Sequence, residues 1–141
     1  MNRKQPLEGI RVVDLTRALA GPYCTMTLAD MGASVIKIEK PGTGDDTRSW
    51  GPPFLPNCKD SAYFAGLNRN KKSLTLNMKA TAGKEILHKL LSSADILVEN
   101  FRYGTMQNLG FSYEQICEQY PKLIYCSLTG FGSTGPYAYR G

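Results

Sequence analysis

Ile10-Arg-Val-Val-Asp-Leu15, then Pro22 to Met31, then Gly32-Ala-Ser-Val-Ile-Lys-Ile-Glu39 is the stretch that decides the fold class. Residues 10–15 and Ser34–Glu39 are β-branched runs, whereas the ten residues from Pro22 to Met31 read as helix. Pro22 suits the first helical position and Gly32 a helix end. Parallel strands need a crossover between them, so strand, helix and strand within 30 residues predict a parallel sheet.

The alternation continues outward from this unit. Residues 40–60 carry four prolines, three glycines and the pair Asp45-Asp46, the composition of a long loop, and long loops in compact domains are often functional. Residues 61–67 read as a helical turn, 68–72 as polar punctuation and 73–78 as a third strand. In residues 81–92 the stripe Leu87, Leu90, Leu91 and Ala94 follows helical spacing and predicts one buried face. Ile96–Glu99 reads as a fourth strand, 112–119 as a helix and 123–127 as a fifth strand. Alternating helices and strands predict an α/β fold, a Rossmann-like parallel sheet with flanking helices. The chain then runs through a Gly-rich stretch to Gly141 with no closing element, which predicts a piece of a longer protein.

Composition narrows the function. With 141 residues, 42% hydrophobic and 21% charged, the chain suits one globular domain. Its net charge of +5 is local, because residues 61–84 hold Arg69, Lys71, Lys72, Lys79 and Lys84 and no acid, while the remaining residues balance at 12 cations and 12 acids. A focused patch fits a small anion better than nucleic acid, which is not expected as a partner. Solvated cations flanking an exposed edge strand are the other reading of the same residues. The longest uncharged run, 123–139, contains three glycines and a proline, so no membrane span is expected, and no apolar signal core opens the chain. Four cysteines without a Cys-x-x-Cys and a single histidine predict reduced thiols, a cytoplasmic protein and no metal site.

Candidate chemistry gathers at the strand ends. The first strand–helix turn, Asp14-Leu-Thr-Arg-Ala-Leu-Ala-Gly-Pro22, lacks the Gly-x-Gly-x-x-Gly of dinucleotide sites, although Glu39 stands where a ribose-binding acid would. Asn100-Phe101-Arg102 follows the fourth strand and offers an amide, an aromatic face and a guanidinium, suited to a purine and a phosphate or simply to an ordinary loop with a packed Phe. Arg69 and Lys79 bracket the third strand and together would span an elongated polyanion. His88 lies off the apolar stripe and reads as a surface residue. Asp14, Asp45, Asp46, Asp95 and Glu99 are the carboxylates near strand ends, none singled out by its neighbours, with Asp45-Asp46 read as shaping the turn at 42–44.

Taken in order, Leu7-Glu-Gly-Ile-Arg-Val-Val-Asp-Leu-Thr-Arg-Ala-Leu-Ala-Gly-Pro22, Gly32-Ala-Ser-Val-Ile-Lys-Ile-Glu39, Gly44-Asp-Asp-Thr-Arg48, Trp50-Gly-Pro-Pro53, Leu67-Asn-Arg-Asn-Lys-Lys-Ser-Leu74 and Val98-Glu-Asn-Phe-Arg102 resemble the N-terminal part of class III CoA-transferases. This is the family of formyl-CoA transferase, the carnitine CoA-transferases and succinate–hydroxymethylglutarate CoA-transferase. The resemblance implies an N-terminal CoA-binding segment over 1–141, part of a longer protein that forms interlocked homodimers. It implies coenzyme A or acyl-CoA as substrate, a carboxylic acid as acceptor, and no tightly bound cofactor. Carried over by position, Ala18, Leu19 and Ala20 lie near the thioester end of CoA and Lys40 approaches the nucleotide. Leu76, Asn77, Met78 and Lys79 line the adenosine and phosphate site with Asn100, Phe101 and Arg102, and Arg140 lies near a further phosphate.

Two positions depart from the family pattern. Asn108 stands where many members have an Arg that contacts phosphate, and Leu19 where some have a Gln that stabilises the acyl intermediate. The family's nucleophilic aspartate matches a position beyond Gly141, so no catalytic residue is expected in this chain and the chain alone is expected to be inactive. Sibling α-methylacyl-CoA racemases of the same fold are the alternative, and a non-catalytic truncated product is a third reading. The turn motifs 16–22 and 44–48 favour transferase.

Overall fold

The computed structural model describes residues 4–140. Along the chain lie β1 (Arg11–Asp14), α1 (Ala20–Asp30), β2 (Ser34–Glu39), α2 (Ala62–Leu67), β3 (Lys71–Thr75), α3 (Thr81–Leu91), β4 (Ile96–Glu99), α4 (Thr105–Leu109), α5 (Tyr113–Gln119) and β5 (Ile124–Ser127), with one 3-10 turn at Asp46–Ser49. The five strands form one sheet in the order β3-β2-β1-β4-β5, and every pairing is parallel. The direction in which strands are added reverses between β1 and β4. In open parallel sheets the strand ends splay at such a switch point and leave a crevice at the carboxyl ends.

Strand alternation divides the core between the two faces. Val13, Leu15, Ile38 and Leu97 pack with Leu87 and Leu91 of α3 and with Phe111 and Ile116. Val12, Val35 and Val98 pack on the other side with Ala29 and Ala33. The stripe read on α3 is the buried one: Leu87 and Leu91 are inside, while Leu90 and Ala94 pack at its margin.

The differences from the sequence reading have local causes. Helix α1 begins at Ala20 rather than Pro22; a helix does not use the N–H groups of its first turn, so proline is tolerated throughout it. The third strand is Lys71–Thr75 rather than 73–78. It pairs with β2 from Val35↔Lys71 to Glu39↔Thr75, and past it Asn77 turns the chain by accepting from Lys79 N–H through its side chain and from Ala80 N–H through its carbonyl. The short α4, set between Gly104 and Gly110, was not anticipated. Ser112 is the cap of α5, forming a reciprocal capping box with Gln115. His88 is half-buried rather than on the surface: its Nδ1 lies 2.7 Å from the Tyr120 hydroxyl and its ring 4.8 Å from that of Phe111. All four cysteines are unbridged.

Candidate functional site

The carboxyl ends of β1, β2, β3 and β4 open into one cleft of about 740 Å³. The turn after β1 gives Arg17 and Ala18, the end of β2 gives Ile38, Glu39, Lys40 and Pro41, and the residues after β3 give Leu76, Asn77, Met78 and Lys79. Asn100, Phe101 and Arg102 close it from β4, with Thr105 and Leu109 of α4. Nine of the thirteen residues that the resemblance carried over to the CoA site therefore share one wall: Ala18, Lys40, the four from Leu76 to Lys79, and the three from Asn100 to Arg102.

The other four stand apart from that lining. Leu19, the residue preceding α1, is half-exposed and makes no side-chain cap. Ala20 opens the helix, and Asn108 is exposed on α4. Arg140 stacks on Tyr137 at 4.6 Å in the terminal segment. Arg17, Ile38, Pro41, Thr105 and Leu109 were missed. Arg17 sits within the quoted turn, and its guanidinium lies 5.4 Å from the centre of the Phe101 ring.

The basic stretch 61–84 does not form a single patch. Arg69 pairs with Asp30 at the opposite end of the sheet, its Nη2 2.6 Å from Oδ2. Lys71 is buried, donating to Asp14 Oδ2 at 3.1 Å, to the Pro22 carbonyl at 2.9 Å and to Asn68 Oδ1 at 2.9 Å. Burial pushes the Lys71 ammonium below the usual lysine range, against the attraction of Asp14. Of the cations in that stretch only Lys79 lines the cleft, where it joins Lys40 and Arg102 from other strands. Among the described residues none of these three has a carboxylate within 4 Å.

The acids, by contrast, are engaged inside the protein. Glu39 is not a free ribose-binding carboxylate: Arg48 donates to both its oxygens at 2.7 Å, Ser73 donates at 2.6 Å and the Asp45 N–H at 2.9 Å. Burial works to raise its pKa, but the Arg48, Ser73 and Asp45 bonds prevail and hold it at about 2. Glu99 accepts from Ser127 Oγ and from Phe101 N–H at 2.8 Å. Asp14 accepts from Thr16 N–H at 2.8 Å, from Thr16 Oγ1 at 2.5 Å and from Thr25 Oγ1 at 2.6 Å. Asp45 does more than shape the turn at 42–44, since its Oδ2 lies 2.8 Å from Lys37 Nζ with both side chains almost fully buried. Burial would raise its pKa, but the bond and charge of Lys37 keep it below the usual carboxylate range.

The amide of Asn100, read as suited to a purine, is directed at the first turn. Its Oδ1 accepts from Arg17 N–H and its Nδ2 donates to the Arg17 carbonyl, both at 2.8 Å. Two loops are thereby fastened across the switch point. This contact joins residues 83 apart and has no local signal in the sequence.

A parallel sheet with flanking helices and a crevice at its switch point is a doubly wound α/β fold. Residues 7–141 match the model of CoA-transferase family III, and the chain belongs to that family. It is 51% identical over 140 residues to the succinyl-CoA:glutarate CoA-transferase of Homo sapiens, covering 99% of this chain and 32% of that protein. It is 49% identical over 132 residues to formyl-CoA:oxalate CoA-transferase of Escherichia coli, covering 94% of this chain and 31% of the relative. Among solved structures it resembles a CAIB/BAIF family protein from Brucella suis with a TM-score of 0.93 and 48% identity, over 99% of this chain and 37% of that one. The chain thus spans about a third of the length of the curated relatives it matches.

Proposed function

We propose that this chain is the N-terminal, CoA-binding part of a class III CoA-transferase that moves CoA between carboxylic acids. The observation that carries the reading is the cleft itself. Lys40, Lys79 and Arg102 converge on it from three strands with no ion-pair partner among the described residues, and Ile38, Leu76, Met78 and Phe101 give it apolar surface. A polyanionic nucleotide with an apolar base and an uncharged thiol arm matches that division, and a guanidinium suits phosphate recognition.

In this reading the phosphates lie against Lys40, Lys79 and Arg102, and the adenosine lies along Leu76 to Met78 and Phe101. The thioester end approaches Ala18, Leu19 and Ala20, with Asn108 and Arg140 near further phosphate contacts. Chemistry falls to an aspartate that the family places outside these 141 residues. It attacks the acyl-CoA carbonyl, releasing CoA thiolate and forming a mixed anhydride. The thiolate then attacks the aspartyl carbonyl of the anhydride, giving an enzyme thioester and freeing the donor acid as its carboxylate. The acceptor carboxylate reverses these steps. A homodimer is the proposed working form of the whole protein. The names of the relatives favour dicarboxylates as substrates, with succinyl-CoA and glutarate as the first donor and acceptor to try.

The test is to incubate the full-length protein with succinyl-CoA and treat it with hydroxylamine. A covalent CoA adduct that hydroxylamine removes is expected. Absence of any adduct across a panel of acyl-CoA donors would contradict the reading.

A further inference from the structure

The Thr16–Ala18 turn, which lines the cleft through Arg17 and Ala18, adopts a conformation that its own sequence does not favour. Ala18 has φ +62°, in the left-handed region where a residue with a Cβ is strained by roughly 1–2 kcal/mol. Such a conformation persists only where its surroundings over-determine it, and here five backbone groups from Thr16 to Ala18 are held. Asp14 takes the Thr16 N–H and Asn100 takes both the N–H and the carbonyl of Arg17. Lys37 Nζ donates to the Thr16 carbonyl at 2.7 Å, and Asp45 Oδ1 faces the Ala18 N–H at 3.5 Å.

The last two contacts come from a single ion pair. Lys37 and Asp45 are 2% and 1% exposed, 2.8 Å apart, and neither lines the cleft. Replacing a buried pair of this kind by neutral groups is often neutral or stabilising, so stability alone gives no reason to keep it. What this pair does is join the loop after β2 to the turn after β1. Thr47 fixes its acidic member, donating through N–H at 3.0 Å and Oγ1 at 2.8 Å to Asp45 Oδ1.

We propose that Lys37 and Asp45 are positioning residues, which hold the Arg17–Ala18 backbone in the place where the thioester reacts. The proposal rests on the CoA reading above. Among the described residues no hydrogen bond or ion pair joins the side chains of Lys40, Lys79 and Arg102 to the pair, so loosening it displaces the reacting end while leaving the nucleotide end anchored. Misplacing a reacting group by an ångström costs up to about a hundredfold in rate.

The test compares the full-length protein with its K37M/D45N double variant by thermal unfolding, CoA affinity from calorimetry, and kcat and KM with succinyl-CoA and glutarate. Expected is a folded variant whose CoA affinity and KM stay near wild type while kcat falls about tenfold or more. A folded variant with wild-type kcat would overturn the proposal, as would a loss confined to CoA affinity. Thr47→Val loosens Asp45 without removing a charge, and it decides the matter if the double variant does not fold. Its kcat should fall by a few-fold at unchanged KM and return with Thr47→Ser; a Thr47→Val enzyme with wild-type kcat would count against the proposal. A wild-type protein that neither binds nor transfers CoA would remove the CoA reading, and the proposal with it. Retained kcat in a folded variant removes the positioning role alone.

Discussion

The floor under the first strand–helix turn and the rim above it are both built on cations, used in opposite ways. On the floor, Lys37 and Lys71 are buried and each meets a buried acid, Asp45 and Asp14. On the rim, Lys40, Lys79 and Arg102 face the cleft, and among the described residues none of them has a carboxylate within 4 Å. Charge spent within the fold shapes the site, and only unspent charge is available to a ligand. A count of basic residues along the chain does not separate the two.

The strongest way to break this comparison is to expose a floor residue to its own burial. Lys71→Met leaves Asp14 buried without its cation and should destabilise the full-length protein by about 3–5 kcal/mol in a denaturant titration. A loss near zero would mean that the floor pair is not an energetic unit. Next in size is Gly83→Ala. An added Cβ at Gly83 would overlap the Asn77 carbonyl, which is backbone of the cleft wall and cannot swing aside. It should cost about 1–3 kcal/mol in stability and weaken CoA binding as well, measured by denaturation and calorimetry on the same sample.

The rim should answer differently. Lys79→Ala or Arg102→Ala should weaken CoA about tenfold, the equivalent of 1.4 kcal/mol, while surface truncation leaves stability within about 0.5 kcal/mol. Calorimetry beside thermal unfolding separates the two effects, and equal losses of stability at rim and floor would erase the distinction. The smallest effect at neutral pH is that of Glu39. Its folded pKa of about 2 lies below the ordinary carboxylate value, so its contribution is fully present above that value and is lost as pH falls towards 2. Stability should therefore hold between pH 7 and 5 and decline below, with a shallower decline in Glu39→Gln, as followed by urea unfolding across pH.

Much of the fold was legible because parallel sheets alternate hydrophobic strands with amphipathic helices, and Ile96–Glu99 and the α3 stripe stand as they were read. The short α4 was not, since five residues between two glycines carry too little periodicity to register. Lys37 was the hardest to read. In S-V-I-K-I-E it looks like the outward residue of an alternating strand, but β2 lies between β1 and β3 and is covered on both faces, so its lysine is among the most buried residues of the chain. Strand-end positions brought the cleft residues together without revealing their partners. Asn100 lines the cleft, yet its amide is bonded to a residue 83 positions away.

The central claim is that the rim holds the phosphates of CoA. A crystal structure of the full-length protein with CoA tests it most directly. The account predicts phosphate oxygens within hydrogen-bond distance of Lys79, Arg102 or Lys40 and the thiol arm directed to the Arg17–Ala18 turn. CoA bound elsewhere, with those three side chains in solvent, would contradict it.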